Sequence, residues 1–450
     1  MLWIELIPIW DGFDEPHHYS YVQSLRVDRS LPRLGRTDLT WEVWDSFVRS
    51  PVSPVVKANY PILRTFDEVR NGLEPPSIVP VPPANYEAHQ APLVYLVLAP
   101  IEASIAGLPI ISRVRVLRLC LLAVALGLFW RISSFSSHQG AAFFLILTTE
   151  MFLASCGHVA NDALAIPIFV WLFFEAERRS RLAVWLLVAG LLVKAYFLAV
   201  TPFVVWRLRQ KWRLLIAAGT LPAMWYARNV MLYGNISGMQ EQLTPMNAGD
   251  LFSGARQIPW GASIGETFRG ALWLANNSFN QWSVWQVNLV IVGLLLALWH
   301  STRTDVPRRL WLLGFGGCYF AALVYAAFQT FVYTKGIGIA ASPWYATPLW
   351  LLAIMVICSG ATPRWVLASL IVVWTYWFIA TFWFKLIPYY AGLMDGPASI
   401  SNLQRWYGFG FGQMRREVGD HVLLLALITT LVAIATAVRQ VLDLRADVKS

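Results

Sequence analysis

Charge is what this sequence has least of. Only 14% of its 450 residues are charged, against 57% hydrophobic, and its mean hydropathy is +0.52. A soluble globule carries about a quarter charged residues, so water cannot be the solvent for most of this chain. Cysteine is scarce too. Cys120, Cys156, Cys318 and Cys358 all lie in apolar runs without CxxC spacing, which excludes a disulfide framework and a cysteine-based zinc site. There is no fixed-period repeat and no low-complexity tract. No secretory signal peptide is visible in this sequence, because Met1 to Trp10 is too short for its apolar core and lacks a basic flank. The net charge of +9 falls in short clusters between apolar runs rather than along one stripe, so it marks topology and excludes a nucleic-acid partner.

What the chain has instead is apolar runs long enough to cross about 30 Å of hydrocarbon. They cover residues 114–130, 140–156, 160–176, 214–231, 285–300, 310–333, 343–360, 363–384 and 421–438. Lipid offers backbone polar groups no partner, so each run is expected as a helix and the fold as an all-α polytopic bundle. The 23 Trp, 16 Tyr and 25 Phe suit the two membrane interfaces. Three basic loops separate the runs: Arg178, Arg179 and Arg181; Arg207, Arg209, Lys211 and Arg213; Arg303, Arg308 and Arg309. Positive-inside logic puts all three in the cytoplasm. The stretch 182–206 lies between two of them and must go in and come back, as a helical hairpin with Lys194 near its turn.

Parity then places 157–162, 232–284 and 385–420 outside, and the tail with Arg439, Arg445 and Lys449 inside. Residues 10–90 are polar and proline-rich, and form a large outside loop. The run 91–110, broken by Pro100, Glu102, Gly107 and Pro109, reads as a juxtamembrane or re-entrant helix. Arg113, Arg115 and Arg118 then sit near the outer surface, where lipid phosphates can meet them. Nothing before Asp11 can span, so a translocated first loop calls for an upstream helix or a partner. The expected organisation is 1–112 as an acidic loop with juxtamembrane helices and 113–235 as the core transmembrane module. Residues 236–284 follow as an outside loop, and 285–450 as C-terminal transmembrane helices carrying the 385–420 loop.

Four groups of residues can carry chemistry. The run from Trp10 to Tyr19 packs Asp11, Asp14, Glu15, His17 and His18 into the start of the outside loop. A carboxylate there can deprotonate an acceptor; equally, Asp14 can cap a helix ahead of Pro16 in a solvated loop. Asn85 to Leu93 brings Glu87, His89 and Gln90 to the point where the chain meets lipid. Such donors can grip a phosphate or sugar, or simply start a helix with Pro92 in its first turn. His158, Asn161 and Asp162 stand at the outer end of a helix, as a cap or as a buried polar site. Lys194, Arg228 with Asn229, and Lys335 with Tyr345 can hold a lipid phosphate or act as snorkelling anchors. Asn235-Ile236-Ser237 and Asn276-Asn277-Ser278 match the glycosylation sequon, a pattern common by chance.

Taken in order, Asp14-Glu15, the Glu87-Ala88-His89-Gln90-Ala91-Pro92-Leu93 run, Asn161-Asp162-Ala163 and Trp225 to Gly234 resemble the GT-C glycosyltransferases. Their relatives include the protein mannosyltransferases and the lipid A aminoarabinose transferases. The chain departs from that pattern in having only nine residues before Trp10 and Gln90-Ala91-Pro92 where a double proline is usual. The resemblance implies a multi-span bundle that takes a sugar from a polyprenyl-phosphate carrier and transfers it to a glycan, lipid or protein acceptor. It further implies Asp14 as base, Glu15 as its neighbour, Asp162 as a second acid, and Glu87 and His89 near the carrier phosphate. Single displacement would invert the anomeric centre, on the non-cytoplasmic face of a bacterial inner membrane. Oxygen ligands suit magnesium or manganese, so Asp14, Glu15 and Asp162 are the residues that would bridge such a metal. Against this stand a secondary transporter, since polar residues in broken helices also mark substrate pathways, and a non-catalytic membrane scaffold.

Overall fold

A computed structural model describes residues 1–12, 14–238, 248–272, 282–392 and 411–446. Much of the 236–284 loop with the Asn276 sequon, and most of the 385–420 loop, therefore lie outside the described residues. Helices dominate. The described strands are the two-residue parallel pair Pro51–Val52 and Arg64–Thr65.

Among the described residues, five helices are long and apolar enough to cross a membrane: Ile110–Ser133, Val284–Thr302, Val306–Tyr333, Arg364–Tyr390 and Asp420–Arg445. Gln139–Leu147 and Glu150–Cys156, bent by 68° at their break, would make a sixth. The chain is thus a multi-pass, predominantly helical membrane protein, with fewer full-length spans among the described residues than apolar runs. Asp162–Glu177 has 16 residues and Thr347–Ser359 has 13, too short for about 30 Å at a rise of about 1.5 Å per residue. Both are buried almost all round, so their hydrophobicity answers to protein neighbours and not to lipid. Trp212–Tyr233 is long enough, but its 22 residues include Arg213 and Arg228 and it is not among the five.

Two contacts establish the expected hairpin. At one end of Asp162–Glu177, Lys194 binds Asp162; at the other, the Arg207 guanidinium donates to the Glu177 carbonyl at 3.0 Å. The chain therefore rises along Leu182–Val193, breaks at Lys194 to Tyr196, and returns along Phe197–Arg207. The same contacts define two ends of the bundle. Arg308 joins the Arg207 end through the Glu177 carboxylate, at 2.9 Å.

The first loop is folded rather than solvated. Helices Glu15–Val27, Trp41–Arg49, Pro54–Asn59 and Phe66–Arg70 pack around buried Tyr19, Tyr21, Val22, Trp44 and Phe47. Buried charge fastens it to the spanning region: Arg113 binds Glu102 at 2.5 Å and also Glu42, while Arg26 takes the second Glu102 oxygen. Arg113 and Arg118, expected to face lipid phosphates, are 2% and 0% exposed. Their carboxylate partners lie up to 103 residues away along the chain, beyond the reach of sequence reading.

Candidate active site

The acidic cluster divides into two sets with different chemistry. Glu15 opens the Glu15–Val27 helix and is fully engaged. Arg118 donates to both of its oxygens, at 2.7 and 2.5 Å, and the Trp10 and Val159 amides add 3.2 and 2.9 Å bonds. The same guanidinium also donates to the Ile7 and Pro8 carbonyls, at 2.8 and 3.0 Å. Burial alone would raise the Glu15 carboxyl, but Arg118 outweighs it and holds the group below its ordinary value. Glu15, expected beside the base, therefore ties together the loop, the Ile110–Ser133 helix and the turn before Asp162.

Asp11 is similarly taken, accepting from the Ser53 amide at 2.6 Å and the Tyr390 hydroxyl at 3.1 Å; burial pushes it up to about 6. His17 and His18 bind the hydroxyls of Tyr60 and Tyr95, each at 2.7 Å. Burial lowers His17 to about 3. None of these groups behaves as part of a solvated loop.

Asp14 is different. It sits half-buried in a left-handed turn, φ 59° and ψ 22°, just before the helix, and accepts a hydrogen bond from Tyr86. Tyr86 starts the short Tyr86–His89 turn, in which the Asn85 side chain caps the Glu87 amide at 3.0 Å. Glu87 is 7% exposed, and its Oε2 has no hydrogen-bond partner. Burial raises its carboxyl to about 8; Asp14 and Asp162 push the same way and Lys194 opposes them. Those three groups thus converge electrostatically on Glu87.

Asp162 and Lys194 form a buried pair, with the ammonium 2.6 and 2.5 Å from the two carboxylate oxygens. Lys194 lies 4.7 Å from the Tyr345 ring and 5.8 Å from that of Tyr196. Beside it opens a cavity of about 430 Å³, bordered by His89, Gln90, Lys194, Tyr196, Tyr319 and Tyr345 among others. The arrangement offers a fixed cation, aromatic walls on which a sugar face can lie, and, behind Lys194, the carboxylate of Asp162.

Of the expected residues, Asp14, Glu87, His89, Asp162, Lys194 and Tyr345 gather in this region. Arg228 and Lys335 do not border the cavity. Arg228 donates to the Pro32 carbonyl at 2.9 Å and stacks 4.5 Å from Trp225, joining Trp212–Tyr233 to the first loop. Lys335 is exposed in the turn after Val306–Tyr333, with φ 52°. Asp14, Glu15 and Asp162 do not fit a divalent metal, because Arg118 occupies both Glu15 oxygens and Lys194 both of Asp162. Among the described residues no three His, Cys, Asp or Glu side chains converge on one point.

Sequence reading missed Tyr196, Tyr319 and Tyr86. Tyr196 is two residues from Lys194 and Tyr86 precedes Glu87, so adjacency could have drawn attention to both. Tyr319 lies mid-helix in an apolar run and carries no such signal. No protein-family model, curated protein or solved structure matches the chain.

Proposed function

We propose that this chain is a membrane glycosyltransferase that moves a sugar from a polyprenyl-phosphate carrier to a hydroxyl or amine, on the non-cytoplasmic face of a bacterial inner membrane. The observation that carries the reading is the buried Asp162–Lys194 pair beside a tyrosine-walled cavity, with Asp14 and Glu87 close enough to share its field. Lys194 supplies a cation for the carrier phosphate, with His89 and Gln90 on the same wall as neutral polar contacts. Asp14 accepts the acceptor's proton as oxygen or nitrogen bonds to the anomeric carbon. Polyprenyl phosphate leaves with the electron pair of the broken bond, so the anomeric centre inverts.

The test is transfer of labelled sugar from a panel of polyprenyl-phosphate donors by the detergent-purified protein. Transfer that vanishes on Lys194→Ala while the protein stays folded supports the reading. One observation favours the transporter alternative: Lys194 and Glu150 both stand at helix breaks, as substrate-binding groups of transporters do. Uptake of a sugar phosphate into proteoliposomes, with no transfer from any donor, would replace the enzyme reading.

A further inference from the structure

The end of the bundle away from the candidate site carries a second cleft, of about 680 Å³, where Leu182–Val193 and Trp212–Tyr233 begin. Arg181, Lys211 and Arg213 line it with Trp185, Trp212 and Gln210, and no described acidic residue does. Glu177, at the end of the neighbouring helix, is already bound to Arg308. Three cations held together without a counter-charge repel one another, and a phosphate-bearing anion relieves that repulsion. Both helices start here, so their positive ends reinforce the field.

The cleft does not stop at its cations. Trp185 and Leu214 belong to the cleft, whereas their neighbours Val184 and Leu215 line an apolar groove of about 470 Å³. The groove runs between the same helices past Leu187, Leu191, Gly219 and Ala223. Its far part touches Leu198 and Ile236, which also border the candidate-site cavity. Trp185 and Trp212 are 53% and 55% exposed at the ends of apolar helices, the headgroup level at which interfacial rings sit. The Leu182–Val193 helix has 12 residues, roughly 18 Å, so the groove has room for an acyl chain along it.

We infer that cleft and groove together bind an anionic membrane phospholipid, its phosphate among Arg181, Lys211 and Arg213 and one acyl chain along the groove. A soluble phosphate would use the cations and leave the groove idle. A zwitterionic lipid would use the groove, but its ammonium group would offset the charge that its phosphate brings to the cations. The bound lipid would brace the Leu182–Val193 helix, whose other end presents Lys194.

The experiment is native mass spectrometry of the full chain in detergent, titrated with phosphatidylglycerol and with phosphatidylcholine of the same chains. In the triple variant Arg181→Gln, Lys211→Gln, Arg213→Gln, phosphatidylglycerol affinity should fall at least about tenfold, since each surface cation strengthens anionic-lipid attraction several-fold. Phosphatidylcholine affinity and the unfolding temperature should stay at wild-type levels, which excludes misfolding. Ala223→Trp, which fills the groove, should weaken phosphatidylglycerol binding as well. Equal phosphatidylglycerol binding by wild type and triple variant overturns the inference, whatever Ala223→Trp does. Glycerol phosphate binding as tightly as phosphatidylglycerol would make this a soluble-phosphate site and overturn it too.

Discussion

At the scale of single residues, Asp14 and Glu15 are adjacent in sequence and opposite in role. Asp14 is half-buried in a left-handed turn that Asn tolerates well, so Asp14→Asn should keep the backbone while removing the base. Turnover is expected to fall by about a hundredfold to ten-thousandfold with the unfolding temperature unchanged. Near-normal turnover would exclude Asp14 as the base. Glu15→Gln should do the reverse of a catalytic change, leaving Arg118 buried against a neutral partner and costing about 3–5 kcal/mol of stability. Glu87 gives a pH signature. Its folded value, about 8, stands above the ordinary 4.5, so its stabilising contribution is full below pH 4.5 and is lost as pH rises through 8. His17 and His89 run the other way. Burial lowers them to about 3 and 4, so what they contribute is lost as pH falls from 6.5 through those values. Glu87→Gln should therefore flatten the decline in unfolding temperature between pH 4.5 and 8 and leave the steepest part of the acid limb, below 4.5, in place; parallel curves for variant and wild type would sink this account.

At the scale of elements, the hairpin that presents Lys194 depends on one close approach. A Cβ added at Gly190 would lie 2.4 Å from the Phe197 ring, across the break that holds Lys194. Packed rings at that distance cannot be accommodated without displacement, so Gly190→Val should destabilise the protein by about 1–3 kcal/mol. Phe197→Ala in the same chain should recover part of the loss, because it removes the ring that the new methyls meet. Thermal unfolding of the two single variants and the double variant gives the coupling; strict additivity would show that the two positions do not meet. The same break explains why a hydropathy reading found a hairpin here. Basic residues at both ends of 182–206 required the chain to return, and Lys194 interrupts an otherwise apolar run. The other short helices had no such punctuation. Asp162–Glu177 and Thr347–Ser359 read as spans because a helix buried in protein and a helix buried in lipid have the same composition.

At the scale of the whole molecule, Asp14 belongs to the end of the bundle that holds Asp162 and Lys194, while Arg209 belongs to the end that holds Glu177 and Arg308. Single cysteines at positions 14 and 209, in a chain whose four native cysteines are replaced, should react with an impermeant reagent from opposite sides of the membrane. Labelling of both from one side would overturn the topology. The membrane class, the helical fold, the basic end and the hairpin were legible in the sequence, since each follows from local composition and from the cost of placing charge or unpaired backbone in lipid. Six of the nine residues expected in the site also gather there, because polar groups in so apolar a chain stand out one by one. Their pairing was not legible. That Glu15 is sealed by Arg118, that Lys194 binds Asp162, that Arg113 turns inward to Glu102, and that Arg228 points to the Pro32 carbonyl are contacts across 11 to 196 residues of chain. Tertiary structure alone decided them, for a buried charge must find a partner, and which partner it finds depends on how the helices pack rather than on any neighbour in sequence.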